Sequence, residues 1–396
     1  MAVAPLPEPL TPDLPDVPGV RHLLVDVGEV RLHVAEAGEG DPIVLQHGWP
    51  QHWYAWRHVI PTLARRRRVI APDLRGFGWS EAPPGRYEKA TFASDLIGLL
   101  DALDLDQVDL VGHDWGGFAG FLACLRAPDR FRRFLALGIN HPWPQPDPGA
   151  LLERLPALSY QFVLATPLLG EVVLMASPTT IEGAFVSAAA RPIEPEAARS
   201  YATRLQQRAR ASATSALYRT FLTRELPAMV QGTYATGTLT VPTRLVVGSE
   251  DPVIKLENLG GFEQHADSME LAEIQGVGHF IPDEAPEEVL EHIRTFVGER
   301  LTASANGGGA EAYLHPERQH VEEGLEEVAE TADPEAEEGA GADVHVEEPW
   351  EGYDGMGVRA IKERLREASP EVRAVVRLYE STHKKRVTVL REVGDG

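Results

Sequence analysis

A short stretch around Asp114 restricts what this chain can fold into more than any other part of the sequence. The letters VGHDWGG at 111–117 follow a β-branched run and precede an apolar segment of helical character. We expect a strand ending at Val111, a helix beginning near Gly117, and a sharp turn between them that residues without a Cβ permit. Asp114 would then stand exposed on that turn. A plainer interpretation is that Asp114 caps the helix, because aspartate is common at that position.

Strands and helices alternate along much of the chain. Strands are predicted at 22–27, 29–35, 42–46, 68–71, 107–111, 243–248 and 269–274, and helices at 53–65, 91–103 and 286–297. Such alternation indicates βαβ units, hence an α/β fold with a mostly parallel central sheet and helices on both faces. The basic run at 65–68 is interpreted as a solvated helix end.

Changes in composition divide the chain into six segments. The alternation stops over 140–237, where Ala-, Leu- and Arg-rich stretches broken by prolines predict an inserted helical cap. The expected segments are a Pro-rich N-terminal arm (1–20), the two parts of the α/β core (21–139 and 238–300), the cap (140–237), an acidic disordered linker (301–349) and a small helical tail (350–396).

The net charge of −23 is concentrated in one place. Residues 311–348 contain 14 acidic residues and one basic residue, Arg318, and so carry −13 of the total. The rest of the chain has no basic patch, which argues against a nucleic-acid partner. No stretch is long and apolar enough for a membrane span, and the single cysteine, Cys124, cannot form an internal disulfide. These features predict a cytoplasmic protein.

Three further motifs occur in a consistent order around Asp114. HGWP at 47–50 follows a predicted strand, GSEDP at 248–252 follows another, and GVGHF at 276–280 precedes the last helix of the core. With Asp114, they bring together a carboxylate on a turn, a second carboxylate and His279. This combination makes it less plausible that Asp114 only caps the N-terminus of its helix.

With these motifs the sequence resembles the α/β-hydrolase superfamily over residues 20–300. The resemblance implies that Asp114 is the nucleophile, Asp251 the acid and His279 the general base. It also implies that the backbone N–H groups of Trp49 and Trp115 form an oxyanion hole. Some relatives place the acid after an earlier strand, which here ends at Asn140. An asparagine cannot stabilise a histidine cation, so Asp251 is preferred.

An aspartate nucleophile selects the class of electrophile. Its attack on an sp³ carbon gives an alkyl ester that water can cleave, whereas a serine would give an ether that water cannot cleave. Epoxides and alkyl halides are therefore the candidate substrates. An opening epoxide needs an acid for its alkoxide, and two cap tyrosines, Tyr160 and Tyr218, resemble the ring-oxygen donors of epoxide hydrolases.

We therefore predict an epoxide hydrolase that acts on a small apolar epoxide with water and needs no cofactor and no metal. Trp53 and Phe280 are expected to line an apolar substrate pocket, with Tyr201 and Tyr234 as reserve acids. A haloalkane or haloacid dehalogenase with the same nucleophile is the alternative. A second alternative is an interaction or localisation protein acting through a partner of residues 350–396. The specific epoxide and the oligomeric state stay open.

Overall fold

The computed structural model describes residues 3–5, 14–143, 158–176 and 179–298, and towards the end of the chain residues 349–350, 353, 356, 358–366, 373, 376 and 389. The predicted acidic linker lies outside the described residues apart from Pro349. The second half of the predicted tail is described only at three single positions.

One sheet organises the described residues. Its order is β1-β2-β3-β5-β4-β6-β7-β8-β9. The pairs β1–β2, β2–β3 and β3–β5 are antiparallel, and every other neighbouring pair is parallel, which confirms the predicted mostly parallel sheet. The strands are β1 (Val3–Pro5), β2 (Arg21–Asp26), β3 (Arg31–Ala37), β4 (Asp41–Gln46), β5 (Arg67–Pro72), β6 (Val108–His113), β7 (Phe131–Leu137), β8 (Thr243–Gly248) and β9 (Met269–Ile274).

The central strands are buried along their length. All six residues of β6 are buried, as are the last four of β4 and of β8. A parallel strand covered by helices on both faces reads as a continuous apolar run, which is why these segments show no polar alternation in sequence.

The helices fall into three groups along the chain. Short α1 and longer α2 and α3 accompany the first strands, α4 to α9 lie between β7 and β8, and α10 and α11 follow β9. Their bounds are α1 (Ile60–Leu63), α2 (Lys89–Ala102), α3 (Asp114–Arg126), α4 (Leu158–Ala165), α5 (Leu169–Ala176), α6 (Thr179–Ala188), α7 (Pro195–Leu205), α8 (Arg208–Thr220), α9 (Leu226–Val230), α10 (Ile281–Glu284) and α11 (Pro286–His292).

Two local predictions need correction. The helix predicted over 53–65 is a 3₁₀ helix at Trp53–Trp56 followed by the short α1; the 3₁₀ helix is buried throughout, whereas α1 buries only Ile60. The basic run at 65–68 is not simply a solvated helix end. Arg67 begins β5, is buried, and forms an ion pair with Asp109 of β6. The burial of Arg67 could not be predicted from the local sequence, because its partner Asp109 lies 42 residues further along the chain.

The carboxyl ends of four parallel strands carry the motifs singled out in the sequence. Trp49 follows β4, Asp114 follows β6, Asp251 follows β8 and His279 follows β9. The inserted helices leave the sheet after β7, at the same edge. Loops at this edge of a parallel sheet are the usual place for a binding site, so the topology gathers the predicted residues.

Two apolar clusters are present in the described residues. The large one is the core of the α/β sheet and the inserted helices, and it includes the buried Cys124. The small one lies in the predicted tail, where α12 (Val358–Leu365) supplies Ile361 and Leu365. Its other members are Tyr353, Val376 and Val389, with Trp350 and Met356 packed against it.

Within the described part of the chain, no single helix is long and apolar enough to cross a membrane. The pair α4 and α5 passes the length and composition test together, but it is bent by 109° at the break.

Candidate active site

Asp114 stands on a tight junction between β6 and α3. The strand runs to His113 and the helix begins at Asp114 itself, so the turn is sharper than the separate loop predicted from sequence. Asp114 has φ 47°, a left-handed conformation that is uncommon for residues other than glycine. A Cβ on Gly112 would lie 2.8 Å from the Gly116 carbonyl oxygen, and one on Gly116 would lie 2.3 Å from that of His47. The junction therefore requires these glycines.

The Asp114 carboxylate does not cap its helix. The N-cap residue is His113, which forms no side-chain capping bond. Instead, the backbone N–H of Trp49, from the loop after β4, donates to Asp114 Oδ2 at 2.8 Å. The Asp114 carboxylate therefore contacts the loop after the neighbouring strand β4 and does not serve as a helix cap.

Two opposing influences act on the Asp114 carboxyl. Burial raises its pKa above the ordinary value, while His279 and the N–H groups of Trp49 and Trp115 work in the opposite direction. These two N–H groups are the predicted oxyanion donors, and they already stabilise negative charge on Asp114 in the resting structure.

His279 is held between two carboxylates. Its Nδ1 lies 2.8 Å from Asp251 Oδ2, and its Nε2 lies 3.9 Å from Asp114 Oδ1. Because a carboxylate can only accept, Nδ1 carries the proton and Nε2 faces Asp114. The backbone N–H groups of Val253 and Ile254 donate to the other oxygen of Asp251, which fixes that carboxylate. Glu250 is largely turned to solvent, next to Ser249.

The charge on His279 follows from this arrangement. Burial disfavours the imidazolium, but the carboxylates of Asp251 and Asp114 outweigh it and raise the pKa of His279 to about 9. At neutral pH His279 is therefore an imidazolium in the resting site. Neutralising Asp114 removes one of the two charges and lowers the pKa of His279.

Two tyrosines from the inserted helices face the site. Tyr160 of α4 stacks on Trp49 with ring centroids 5.6 Å apart, and Tyr218 of α8 meets the Trp49 and Trp115 rings edge to face. Their hydroxyl oxygens are 3.5 Å apart. Burial raises the pKa of Tyr160 to about 12 and that of Tyr218 well above its usual value. Both phenols are therefore protonated donors at neutral pH.

The structure separates the other predicted residues from this group. Trp53 is fully buried, and its ring packs on His22, His33 and Tyr54 rather than on the Asp114 side of the loop, so its expected place in a substrate pocket is not supported. Phe280 is buried beside His279 and Phe185, behind the base.

The two reserve tyrosines, Tyr201 and Tyr234, lie elsewhere in the structure. The Tyr201 hydroxyl donates to Asp283, and the Tyr234 ring packs near Phe118. Neither has a ring contact with Trp49 or Trp115 of the kind that Tyr160 and Tyr218 make.

Sequence analysis missed two residues that hold the His279 loop. His113 is buried, and its Nε2 donates to the His279 carbonyl oxygen at 2.8 Å. Glu284 is buried and accepts the backbone N–H groups of Gly278 and Phe280. The available signal for Glu284 was the pair of consecutive carboxylates shortly after His279. Among the described residues, no group of His, Cys, Asp and Glu side chains could hold a metal ion.

The chain belongs to the alpha/beta hydrolase fold family, whose model matches residues 41–286. Within this family it is similar to proteins named epoxide hydrolases. It is 45% identical over 118 residues to "Soluble epoxide hydrolase" of Corynebacterium sp. (strain C12), an alignment that covers 30% of this chain and 41% of that protein. It is 28% identical over 318 residues to "Epoxide hydrolase 3" of Siraitia grosvenorii, covering 70% of this chain and 98% of the relative.

A solved structure agrees with this placement. "Epoxide hydrolase CorEH without ligand" matches with a TM-score of 0.62 and 28% identity, covering 70% of this chain and 98% of that chain. The more similar of the two sequence relatives is matched over only about two fifths of its length. The reaction of this chain is therefore inferred mainly from the geometry of the site.

Proposed function

We propose that this protein hydrolyses epoxides to vicinal diols through a covalent alkyl ester on Asp114. The observation that carries the proposal is the position of one carboxylate, with Oδ2 on the Trp49 N–H and Oδ1 facing His279 Nε2. In this arrangement a single aspartate can attack an alkyl carbon with Oδ1 while Oδ2 stays in the oxyanion hole. The resulting ester is then presented to the base.

In the first half-reaction, Asp114 Oδ1 forms a bond to a ring carbon and the carbon–oxygen bond of the epoxide breaks. The electron pair goes to the ring oxygen, which takes a proton from Tyr160 or Tyr218. The two hydroxyls lie 3.5 Å apart, so both can contact one oxygen atom. Their protonated state at neutral pH supports this acid role.

In the second half-reaction, His279 Nε2 removes a proton from water, and the oxygen attacks Cγ of Asp114. The Trp49 and Trp115 N–H groups stabilise the oxyanion on Oδ2. Collapse of this intermediate breaks the ester bond, and the departing oxygen of the diol takes the proton held by the His279 imidazolium. The proton left on the Asp114 carboxyl returns to the tyrosinate formed in the first half-reaction, which restores both the carboxylate and the phenol. Because alkylation neutralises Asp114, the pKa of His279 falls from about 9 after the first step, which prepares the base for the second.

We also infer that the segment 140–237 acts as a cap over the site. The support is that Tyr160 and Tyr218 both come from helices of this segment and contact the loops after β4 and β6. Under this proposal the core supplies nucleophile, base and oxyanion hole, and the cap supplies the acid.

The rival is dehalogenation, and one observation favours it. The indole Nε1 atoms of Trp49 and Trp115 are both buried; among the described residues that of Trp49 has no hydrogen-bond partner, and that of Trp115 lies beside the Tyr218 hydroxyl. Such N–H groups suit a departing halide. Two buried phenols favour the epoxide, because a departing halide does not need a proton.

The substitution His279→Gln tests the covalent mechanism. We expect alkylation to proceed and ester hydrolysis to stall, so that incubation with styrene oxide leaves a mass adduct on the peptide containing Asp114. Asp114→Asn with His279→Gln is the control and should show no adduct. Absence of an adduct with any reactive epoxide or alkyl halide would overturn the proposal.

The substitutions Tyr160→Phe and Tyr218→Phe separate the two electrophiles. We expect each to slow epoxide alkylation about 10- to 100-fold, because the alkoxide loses a proton donor, while alkylation by a primary alkyl bromide changes little. Single-turnover rates of adduct formation give both numbers. Halide release by the unsubstituted protein without diol formation would favour the rival.

A further inference from the structure

Glu284 gathers backbone N–H groups from two separate parts of the chain. It is the last residue of α10 and is 6% exposed. Oε1 accepts from Phe280 at 2.8 Å, and Oε2 accepts from Gly278 at 2.9 Å. Oε2 also accepts from Ala190 at 2.7 Å and Arg191 at 2.9 Å, which follow α6 in the inserted segment. Among the described residues, no ion pair is formed by this carboxylate.

The peptide groups on both sides of His279 are fixed by these bonds together with two others. The His279 N–H donates to the Ala188 carbonyl oxygen at 2.8 Å, and His113 Nε2 donates to the His279 carbonyl oxygen. The loop contains Gly276 at φ 67° and Gly278, residues that permit many other backbone conformations. The orientation of the imidazole therefore depends on contacts from outside the loop.

We propose that Glu284 is a positioning residue for His279. Glu284 locks the loop that carries His279, residues 276–280 (the base loop), to the segment 188–191 that follows α6. This inference rests on the proposed covalent function. Alkylation requires Asp114 and a tyrosine acid but not His279, whereas ester hydrolysis requires His279 Nε2 to hold a water against Cγ of Asp114. Loss of the Glu284 contacts should therefore slow the second half-reaction selectively.

The charge of Glu284 acts in the same direction as its geometry. Its carboxylate is one of the groups that raise the pKa of His279. Replacing it with a neutral group lowers that pKa, so the midpoint of the pH profile for ester hydrolysis should move to lower pH. A residue that only supported the fold would leave this midpoint in place.

The neighbouring carboxylates have different partners, which makes matched controls possible. The Asp283 carboxylate faces Arg57, Gln51 and Tyr201, and among the described residues the only bond from Asp283 to the His279 loop is its backbone N–H to the Phe280 carbonyl oxygen. Glu288 forms an ion pair with Arg191 Nη1 at 2.6 Å and is partly exposed. Glu288→Gln therefore removes a charge from the same region and weakens a contact with the same inserted segment. In the described part of the chain, Glu288 has no side-chain bond to the His279 loop; its partner Arg191 reaches that loop only through the Gly276 carbonyl oxygen, a bond that this substitution leaves in place.

The test compares Glu284→Gln and Glu284→Asp with Glu288→Gln in the full chain, with styrene oxide as probe. Rapid quenching and mass spectrometry give the rates at which the Asp114 ester forms and disappears. For Glu284→Gln we expect ester hydrolysis to slow tenfold or more, ester formation to change less than threefold, and the hydrolysis profile to shift to lower pH. Glu284→Asp should keep the profile and lose part of the rate, and Glu288→Gln should match the unsubstituted protein.

Three results would overturn the inference. These are equal slowing of both half-reactions, no change in either, or the same effect in Glu288→Gln. If Glu284→Gln does not fold, the same two rates in Glu284→Asp decide the question. Failure of the proposed function is distinguishable, because the unsubstituted protein and His279→Gln would then form no ester at all.

Discussion

At Gly48 the backbone of the loop after β4 passes directly beside the Asp114 side chain. A Cβ placed on Gly48 would lie 2.4 Å from Asp114 Cβ and 2.5 Å from Oδ2. The same oxygen accepts the Trp49 N–H, so the absence of a side chain at Gly48 is what allows the loop after β4 to approach Asp114, the proposed nucleophile.

Gly48→Ala should therefore displace either the loop or Asp114. We expect ester formation and ester hydrolysis each to slow by about 100-fold, because small misplacements in a site of this kind carry large costs in rate. Single-turnover rates measure both steps. Gly183→Ala, in α6 with open space around its Cβ, is the control and should retain activity. Full activity in Gly48→Ala would contradict the close approach.

For single residues, the sequence was enough to identify those that lie within a recognisable short motif. Asp114, Asp251 and His279 each lie next to a strand end, and the structure brings the three together. Glu284 could not be recognised, because its partners are backbone N–H groups, two of which lie more than 90 residues away. Trp53 was misplaced, because an aromatic residue near a motif can equally well fill the core.

At the scale of elements, a buried charged group joins three parts of the chain. Arg57 follows the 3₁₀ helix Trp53–Trp56 and forms an ion pair with Asp283 of α10, and the Tyr201 hydroxyl of α7 donates to the same carboxylate. Burial opposes the charge on both partners: Asp283 raises the pKa of Arg57, whereas burial raises the pKa of the Asp283 carboxyl against the opposing effect of Arg57, Gln51 and Tyr201. The inserted helices are thus tied to the core beside the base loop.

Arg57→Met should leave Asp283 buried without its counter-charge. We expect a loss of about 3–5 kcal/mol in the free energy of unfolding, measured by urea denaturation. Adding Asp283→Asn should recover much of the loss. Glu291→Gln breaks the exposed Glu291–Arg294 pair and should change stability by less than about 0.5 kcal/mol. An equally small effect for Arg57→Met would show that the buried pair contributes little.

Helices and strands with a distinctive pattern of apolar residues could be predicted from the sequence, whereas others could not. The strands predicted at 243–248 and 269–274 agree with β8 and β9, because short apolar runs bounded by turn residues are distinctive even where, as in β9, most of the strand is only partly buried. The continuous helix predicted over 53–65 is instead a buried 3₁₀ helix and a separate four-residue helix, and the sequence pattern did not reveal the break between them. The linker predicted at 301–349 lies outside the described residues except at its last position, and a protein partner for 350–396 stays a prediction.

For the molecule as a whole, buried histidines set the response to acid. Burial lowers the pKa of His22 to about 4, of His52 to about 3 and of His141 to about 4. An unfolded histidine binds its proton near pH 6.5, whereas these folded ones resist it. The unfolded state therefore binds more protons below pH 6.5, and stability falls as the pH falls from 6.5 to about 4.

We expect a drop of several kcal/mol in the free energy of unfolding between pH 6.5 and 4.5, measured by urea denaturation at each pH. His22→Gln should make the curve flatter over this window, because it removes one of the titrating groups. A free energy of unfolding that does not change across this range would contradict the burial of these imidazoles.

The inserted helices leave the sheet at the edge where the reacting groups stand, and this has a consequence for protein engineering. The residues proposed as nucleophile, base and oxyanion donors follow strand ends, whereas the surfaces that would meet the rest of a substrate under this proposal come from α4 to α9. A combinatorial library confined to those helices should therefore retarget the enzyme while keeping its chemistry. The exception is the stretch 188–191, where variation would reach the base through Glu284.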